Sequence, residues 1–321
     1  MFIRRLPKFA YHTPASIFEA LELLSTHGRD AKLLAGGTDL LLAMKKRTSV
    51  PSHLINLKTI PGLSGITADA KGLTIGALTT IAEIERSDPV RETYSPLWDA
   101  ACVMASPQIR TLATVGGNLV SAVPSADMAP PLMVLSAQVH ITGLSGERTY
   151  PVESFFAGPS TCNLDPTDIV TRITIPTPKG RGVYLKLMRR GALDLALVGV
   201  AAYVSLDANR VCKDVRIALG AVAPTPIRAA AAEGVLRGKT LTEGLAVEAG
   251  KVSGAECKPI SDIRATQGYR RSMVEVLTKR ALLQILDRLR EEPRASANGR
   301  RWSANGRRWS ARGFFQGKSP L

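Results

Sequence analysis

Two glycine pairs in this sequence stand in surroundings that suit the binding of phosphate. The first lies in Ala35-Gly36-Gly37-Thr38-Asp39, the first glycine turn, and the second in Thr114-Val115-Gly116-Gly117-Asn118, the second glycine turn. Phosphate is bound by backbone N–H groups that point away from the chain, and glycine allows the required backbone angles without an obstructing side chain. A helix that begins after such a turn adds the positive end of its dipole.

Each turn taken alone is also compatible with an ordinary tight bend, because Gly-Gly pairs are frequent between elements. Neither turn fits GxGxxG or GxxxxGK[ST], which argues against a Rossmann nucleotide site and a P-loop. Two such turns far apart in the sequence could converge on one pyrophosphate. Residues 121–127, downstream of the second glycine turn, add hydroxyl groups and a carboxylate for a nucleotide. The sequence therefore permits a dinucleotide site.

The elements around the first glycine turn follow from the spacing of apolar residues. Residues 32–35 predict a short strand, residues 38–44 the start of a helix, and residues 53–57 a second strand. This order and these lengths are typical of a parallel βαβ unit. An earlier helix is predicted to begin at Pro14, with Thr13 as its N-cap.

A Pro- and Gly-rich linker at residues 176–182 divides the chain into two units. The first unit continues with strands predicted at 73–76, 138–141 and 169–175 and helices at 81–85 and 96–104. The second has two strands at 197–206 and 211–219, a turn at 207–210, and helices within 229–237, 241–252 and 269–290. Strands followed by helices predict an α+β fold for the second unit.

The net charge of +15 is unevenly distributed over the 321 residues. Seven basic residues and no acidic one lie between Arg294 and the end, so the remainder carries +8. A basic chain suggests nucleic-acid binding, but a modest excess also suits an anionic cofactor or an acidic partner. No apolar run of about 18 residues predicts a membrane span. No secretory signal is predicted either, so a cytoplasmic location is expected.

The basic end of the chain contains a short duplication. Residues 296–302 repeat as residues 303–309, without an apolar stripe and with a glycine in each copy. This pattern excludes a coiled coil and predicts a disordered basic extension. Because Arg and Trp alternate there, an arm that binds RNA or an acidic surface is the alternative.

Cysteine and histidine offer no local motif for metal or nucleophilic chemistry. The four cysteines are too far apart for a CxxC motif, which predicts reduced thiols and no iron–sulfur cluster on this chain. The four histidines, His12, His27, His53 and His140, also lack a motif context. We therefore predict neither catalytic residues nor metal ligands.

Beyond these patterns, the chain resembles a known family. Residues 33–40, the second glycine turn and Pro124-Ser125-Ala126-Asp127 are similar to the flavin signatures of the FAD-binding medium subunits of the xanthine dehydrogenase and carbon monoxide dehydrogenase family. The similarity continues after the linker at residues 185–190, 194–198, 260–265 and 269–271. It covers residues 3–287 approximately, with the motifs in the family's order.

The resemblance implies an α+β protein with two domains. The first, residues 1–177, would be an FAD-binding PCMH-type (vanillyl-alcohol-oxidase-like) domain. The second, residues 181–288, would be a small α+β C-terminal domain like that of carbon monoxide dehydrogenase flavoproteins, with a three-stranded sheet and helices. Residues 289–321 would form the basic disordered tail.

The resemblance also implies the residues that hold FAD. The two glycine turns and their neighbours would wrap the pyrophosphate and the ribityl chain, Asp127 would contact the nucleotide part, and Ile169, Val170 and Lys186 would lie near the isoalloxazine. A positive charge on Lys186 would stabilise an anionic reduced flavin. The expected cofactor-binding residues are Leu33, Leu34, Ala35, Gly36, Gly37, Thr38, Asp39, Leu40, Thr114, Val115, Gly116, Gly117, Asn118, Asp127, Ile169, Val170 and Lys186.

The same resemblance implies that substrate chemistry takes place on another chain. A large partner subunit would hold the molybdenum cofactor, and a small partner subunit would hold [2Fe-2S] clusters. Electrons would pass through FAD to an acceptor such as NAD or a quinone. One alternative is a standalone FAD-dependent oxidoreductase of the same fold, and another is a basic adaptor without enzymatic activity that binds nucleic acid. Bound flavin would exclude the adaptor, and co-purifying subunits would exclude the standalone enzyme.

Overall fold

The computed structural model describes residues 5–191 and 193–291 and contains helices and strands throughout. The strands in these ranges are β1 (Ala10–His12), β2 (Ala31–Leu34), β3 (His53–Asn56), β4 (Ile66–Asp69), β5 (Gly72–Gly76), β6 (Gln138–Gly143), β7 (Gly146–Pro151), β8 (Phe156–Gly158), β9 (Thr161–Cys162), β10 (Ile169–Pro176), β11 (Arg181–Leu187), β12 (Val198–Leu206), β13 (Cys212–Gly220) and β14 (Ile227–Arg228). The α-helices are α1 (Ile17–His27), α2 (Leu40–Lys46), α3 (Ile81–Arg86), α4 (Asp88–Thr93), α5 (Ser95–Val103), α6 (Pro107–Arg110), α7 (Val115–Ser121), α8 (Ala129–Val134), α9 (Ala230–Leu236), α10 (Glu243–Glu256) and α11 (Gln267–Glu291).

A small parallel sheet opens the chain. Its strand order is β1-β3-β2, and β3 pairs in parallel with both neighbours, which confirms the predicted βαβ unit. Helix α1 covers one face of this sheet. Leu21 and Leu24 of the helix join Ala31 and Ile55 of the strands in one buried apolar cluster. The first glycine turn leaves this sheet at the end of β2.

The predicted start of α1 was wrong by one turn. The helix begins after Ser16, whose hydroxyl accepts a hydrogen bond from the Glu19 N–H, whereas Thr13 lies before the helix. The Glu19 carboxylate in turn accepts from the Ala15 N–H at 2.8 Å. Ser16 is the N-cap because Glu19 follows it by three residues. The Ser16 hydroxyl and the Glu19 carboxylate then accept hydrogen bonds from two backbone N–H groups at the helix start.

An antiparallel sheet of five strands forms the centre of the N-terminal region. The strand order is β4-β5-β10-β6-β7, and helices α3, α4, α5, α7 and α8 contribute residues to the apolar core that the sheet shares. Helices α5 and α8 also contact strands of the C-terminal sheet. The shared apolar core includes Leu97, Leu132, Val139 and Ile173, all buried. The strand predicted at residues 169–175 is β10, which lies between β5 and β6 and so joins both halves of the sheet.

The C-terminal region is an α+β unit, as predicted. Strands β11, β12 and β13 are the three long strands of an antiparallel sheet, and the two-residue β14 extends its edge to four strands. Helices α9, α10 and α11 pack on the sheet around a second apolar core. Helix α11 continues to Glu291, so the tail predicted from residue 289 begins too early. The predicted basic extension at 292–321 lies outside the described residues.

None of the helices in the described ranges combines the length and the apolar character that a membrane span requires.

A partly buried ion pair, in which the Glu85 side chain is 30% exposed, holds the segment that precedes the second glycine turn. Both oxygens of the Glu85 carboxylate accept hydrogen bonds from the Arg110 guanidinium, at 2.9 and 3.0 Å. Arg110 also donates to the Met104 carbonyl at 3.0 Å, and only 10% of its side chain is exposed. Removing one partner of a buried pair leaves the other without compensation for its lost hydration, so this pair strongly constrains α6 against α3.

We expect Arg110→Met to lower the free energy of unfolding by about 2–4 kcal/mol, because the Glu85 carboxylate would lose its bidentate partner. The measurement is chemical denaturation at neutral pH. Arg91→Met is the matched control, since the Arg91–Asp88 pair is mostly exposed and its loss should cost less than about 1 kcal/mol. Equal losses in the two variants would contradict the assigned role of Arg110.

Candidate cofactor site

The first glycine turn presents a row of free backbone donors. The N–H groups of Gly36, Gly37, Thr38 and Asp39 donate to no acceptor among the described residues, while the Gly37 carbonyl accepts from Leu41 in α2. Gly37 has φ +74°, a left-handed conformation that other residues adopt with strain. The Asp39 side chain makes no capping hydrogen bond to α2. This turn therefore leaves four backbone donors available to an anion.

The structure brings the two glycine turns together. A Cβ atom on Gly36 would overlap the carbonyl oxygen of Leu112 and would come within 3.2 Å of the Ala113 Cα. Residues 112 and 113 directly precede the second glycine turn, so at Gly36 the first turn contacts the backbone that leads into the second. Only a glycine allows this approach, which is a packing requirement that the sequence pattern alone did not reveal.

The second glycine turn differs from the first in where its donors point. Its glycines lie within the first turn of α7, and Thr114 is the N-cap that accepts from the Gly117 N–H at 3.1 Å. The N–H groups of Val115 and Gly116 donate to the Thr79 and Ala77 carbonyls. These donors are satisfied inside the protein, which corrects the expectation of a second set of free N–H groups. The part of residues 114–118 in holding a cofactor stays a prediction.

Close packing explains the glycine at position 116. A Cβ atom there would lie 2.7 Å from the Ala77 carbonyl oxygen, and the Gly116 N–H donates to that same oxygen at 2.9 Å. The Asn118 side chain acts at the other end of the turn, where its Oδ1 accepts from the Met128 N–H. The second glycine turn is thus anchored on two sides and forms a rigid wall beside Gly36.

Asp127 and Lys186, predicted to meet different parts of a cofactor, are bound to each other. The Lys186 ammonium donates to Asp127 Oδ2 at 2.8 Å, and the Tyr184 hydroxyl donates to Asp127 Oδ1 at 2.9 Å. The side chain of Lys186 is 1% exposed and that of Asp127 is 8% exposed. Burial raises the pKa of the Asp127 carboxyl, while Lys186 and Tyr184 lower it. Each carboxylate oxygen accepts one hydrogen bond within the protein, and the contact between Asp127 and a nucleotide stays a prediction.

This ion pair joins the two regions of the chain. Asp127 belongs to the loop before α8, whereas Tyr184 and Lys186 lie on β11. The Tyr184 backbone N–H donates to the Asp99 carboxylate of α5, and Arg288 of α11 donates to the Gly182 carbonyl. Sequence reasoning missed Tyr184 and Asp99, because neither residue belongs to a recognisable motif.

Ile169 and Val170 are the first residues of β10 and are both buried. Ile169 belongs to the apolar cluster beneath α1, and Val170 belongs to the central core. A register shift in the β10–β6 pairing follows Val170. The Thr171 carbonyl accepts from the Ala77 N–H, which ties β10 to the segment on which Gly116 packs. The backbone at this point therefore lies close to the second glycine turn.

A cleft of about 260 Å³ lies beside the Asp127 loop. Pro124 and Ser125 line it from the N-terminal region, and Ala221, Asp262 and Arg270 line it from the C-terminal region. The Arg270 guanidinium donates to Asp262 at 2.9 Å and to the Ala221 carbonyl at 3.1 Å, so these polar groups hold fixed positions in a lining that is otherwise mainly apolar. The cleft opens at the boundary that the Lys186–Asp127 pair holds together.

Comparison with known proteins identifies the family of the chain. Residues 7–178 match the family described as the FAD binding domain in molybdopterin dehydrogenase, and residues 183–285 match the CO dehydrogenase flavoprotein C-terminal domain. The chain belongs to this family of FAD-binding medium subunits. The resemblance inferred from the motifs is thereby confirmed, and so is the presence of an FAD-binding domain.

The similarity to curated relatives extends over almost the whole length of those proteins. The carbon monoxide dehydrogenase medium chain of Hydrogenophaga pseudoflava is 35% identical, over 86% of this chain and 96% of that protein. The putative xanthine dehydrogenase FAD-binding subunit of Escherichia coli is 32% identical, over 85% and 94%. The nicotine 6-hydroxylase medium subunit of Paenarthrobacter nicotinovorans is 34% identical, over 87% and 98%.

Solved structures agree with this assignment. Carbon monoxide dehydrogenase from Hydrogenophaga pseudoflava, in a form that lacks the Mo-pyranopterin moiety of its cofactor, matches with a TM-score of 0.85 at 35% identity, covering 88% of this chain and 99% of that one. Quinoline 2-oxidoreductase from Pseudomonas putida 86 matches with a TM-score of 0.83 at 30% identity, covering 88% and 98%. The expected fold of an FAD-binding domain and a C-terminal domain is confirmed.

We expect Gly36→Ala to weaken FAD binding at least about tenfold, equivalent to about 1.4 kcal/mol, because the added Cβ atom would push the two turns apart. Fluorescence titration of the flavin-free apoprotein with FAD measures this change. Gly234→Ala in α9 is the control, since a Cβ atom there meets no neighbour within 4 Å. Unchanged affinity in Gly36→Ala would show that the approach of the turns is not needed for binding.

A second prediction concerns Asp99. Burial raises the pKa of its carboxyl from 3.8 to about 6, although the Tyr184 N–H and Arg288 lower it. The folded state therefore binds a proton more tightly than the unfolded state, and its stability falls as the pH rises through this interval. We expect Asp99→Asn to be more stable than the parent above pH 6, by about 1–3 kcal/mol, with the difference vanishing near pH 4.

Denaturation curves of both proteins at several pH values measure this difference. Asparagine keeps an oxygen that accepts from the Tyr184 N–H, so the substitution removes only the charge. The exposed Glu22→Gln serves as the control and should change the stability by less than about 0.5 kcal/mol. A stability difference for Asp99→Asn that does not vary with pH would refute the prediction.

Proposed function

We propose that this chain is the FAD-binding electron-transfer subunit of a molybdenum hydroxylase complex, which passes electrons from [2Fe-2S] clusters of a partner subunit to an external acceptor. The observation that carries the proposal is the first glycine turn, which has four free N–H groups and contacts, at Gly36, the backbone leading into the second glycine turn within an FAD-binding domain. Such a donor row fits the pyrophosphate of a dinucleotide.

The chain's own residues would bind and orient the cofactor. The N–H groups of residues 36–39 would donate to the pyrophosphate, and residues 33–40 and 114–118 would form the walls around it. The backbone around Ile169 and Val170 would lie near the isoalloxazine. FAD, when bound, supplies one- and two-electron redox chemistry. The protein's contribution is to hold it between fixed elements and to exclude water.

Lys186 would act on the cofactor from within its ion pair. Its ammonium is buried and bound to Asp127, so the pair presents a dipole rather than an isolated positive charge. We retain Asp127 and Lys186 as cofactor-binding candidates, because residues 124–127 and 185–190 carry the family's motifs. Their position at the boundary of the two regions supports a role in shaping the site.

The partners are part of the proposal. Relatives are named as medium chains and FAD-binding subunits, which supports a heterotrimer with a large molybdopterin-binding subunit and a small [2Fe-2S] subunit. Substrate oxidation would occur on the large subunit, and NAD or a quinone would accept the electrons. The relatives oxidise different compounds according to their names, so the substrate is not assigned. We also propose the cytoplasm as the location and retain the domain boundaries at residues 177 and 181.

We expect the purified full chain to take up one FAD per molecule and to show a flavin absorption spectrum. Without partner subunits it should not be reduced by the aldehydes and heterocycles that molybdenum hydroxylases oxidise. Co-expression with large and small subunits should yield a complex in which such a compound bleaches the flavin anaerobically. Adding NAD, a quinone or oxygen separately should then identify the acceptor by the return of colour.

Each alternative predicts a different result. A colourless chain that takes up no FAD would refute the proposal. Flavin reduction by a small substrate in the absence of any partner would support a standalone oxidoreductase. Retention of flavin with no association with other subunits would leave FAD binding intact and refute the electron-transfer assignment.

A further inference from the structure

Three of the four histidines of the chain converge in the N-terminal sheet. His12 ends β1, His27 ends α1 and His53 begins β3. A nitrogen of each ring lies within 4.8 Å of a nitrogen of both other rings. These residues are 15 to 41 positions apart in the sequence, so no local motif indicated that they form a cluster.

The register of the sheet explains the convergence. In the parallel pairing, Ala10 lies beside His53, which places His12 and His53 on the same face because side chains alternate along a strand. Ile55 shares that face and packs beneath α1. The last residue of α1, His27, therefore arrives above the same face at the edge of the apolar cluster.

The three rings are in direct contact. His12 Nε2 and His53 Nδ1 are 2.9 Å apart and share one proton as a hydrogen bond. The His27 and His53 rings stack with centroids 3.6 Å apart and an interplanar angle of 11°. All three side chains are half-buried, so solvent ions can reach them. No carboxylate belongs to the cluster among the described residues.

We propose that His12, His27 and His53 form a binding site for a late divalent transition metal ion, with Zn²⁺ as the expected occupant. Three imidazoles with one open position are a set that binds zinc tetrahedrally, and imidazole also suits Cu²⁺ and Ni²⁺. At Zn–N distances near 2.0 Å the nitrogens should be about 3.3 Å apart. The cluster therefore has to close by roughly 1.5 Å at most, through rotation of side chains.

Binding also replaces interactions that the metal-free cluster makes. The ion would take the place of the proton shared by His12 and His53, using the lone pairs of both nitrogens. The stacked rings of His27 and His53 would tilt so that their nitrogens point at one centre. Because metal and protons compete for the same lone pairs, affinity should fall as the pH is lowered.

The position of the site indicates a structural role. His53 pairs with Ala31 at the start of β2, whereas the first glycine turn follows the end of β2, roughly 10 Å further along the strand. The histidine cluster and the candidate cofactor site thus lie at opposite ends of the strands of this sheet. A bound ion would link the end of α1 to β1 and β3. It would thereby stabilise the βαβ unit that carries the first glycine turn.

The test uses the full chain, purified without a histidine tag and treated with a chelator. We expect one equivalent of Zn²⁺ to bind by isothermal titration and to raise the melting temperature. Co²⁺ should give the intense visible bands of a tetrahedral site. His27→Gln and His12→Gln should each weaken Zn²⁺ binding by about tenfold or more and abolish the Co²⁺ bands.

His140→Gln is the matched control. That histidine lies on β6, where its ring nitrogens face the hydroxyls of Thr174 and Thr149, so its loss should leave metal binding unchanged. Circular dichroism and FAD uptake show whether each variant is folded. Absence of Zn²⁺ binding in the parent, or equal binding in the parent and all three variants, would overturn the proposal. FAD uptake tests the proposed function separately, so the two can fail independently.

Discussion

The contact between Gly36 and the Leu112 carbonyl is the constraint on which the candidate cofactor site depends. It joins a turn of the parallel sheet to a segment that belongs to the central sheet and its helices. The Arg110–Glu85 pair holds that segment from behind, and the Thr79 and Ala77 carbonyls hold the second glycine turn from below. The free N–H groups of the first glycine turn are consequently fixed relative to a rigid wall, as a site that binds without rearrangement requires.

The boundary between the two regions is organised around Tyr184. Its hydroxyl contacts Asp127, its backbone N–H contacts Asp99, and its neighbour Lys186 completes the ion pair. Buried charges of this kind add little net stability, but each leaves a strong penalty when its partner is removed. The arrangement therefore selects one relative placement of the two regions, and with it the shape of the cleft beside residues 124–127.

The hydrogen bonding of the second glycine turn could not be predicted from its own residues. Its residue types match those of the first glycine turn closely enough to predict the same chemistry. In the structure Thr114 caps a helix, and the glycines serve close packing against Ala77. The difference arises because a backbone N–H donates to whichever acceptor the fold brings near it, and here the nearest acceptors are protein carbonyls.

The sequence by itself determined the parallel βαβ unit, the α+β character of the second region and the motifs that identify the FAD-binding family. These follow from periodicity, turn residues and short signatures, all of which are local. Only the tertiary structure decided which donors of the glycine turns stay free, that Asp127 and Lys186 neutralise each other, and that three isolated histidines meet. Each of these depends on contacts between residues tens of positions apart, which are set by sheet register and helix packing rather than by neighbouring residues.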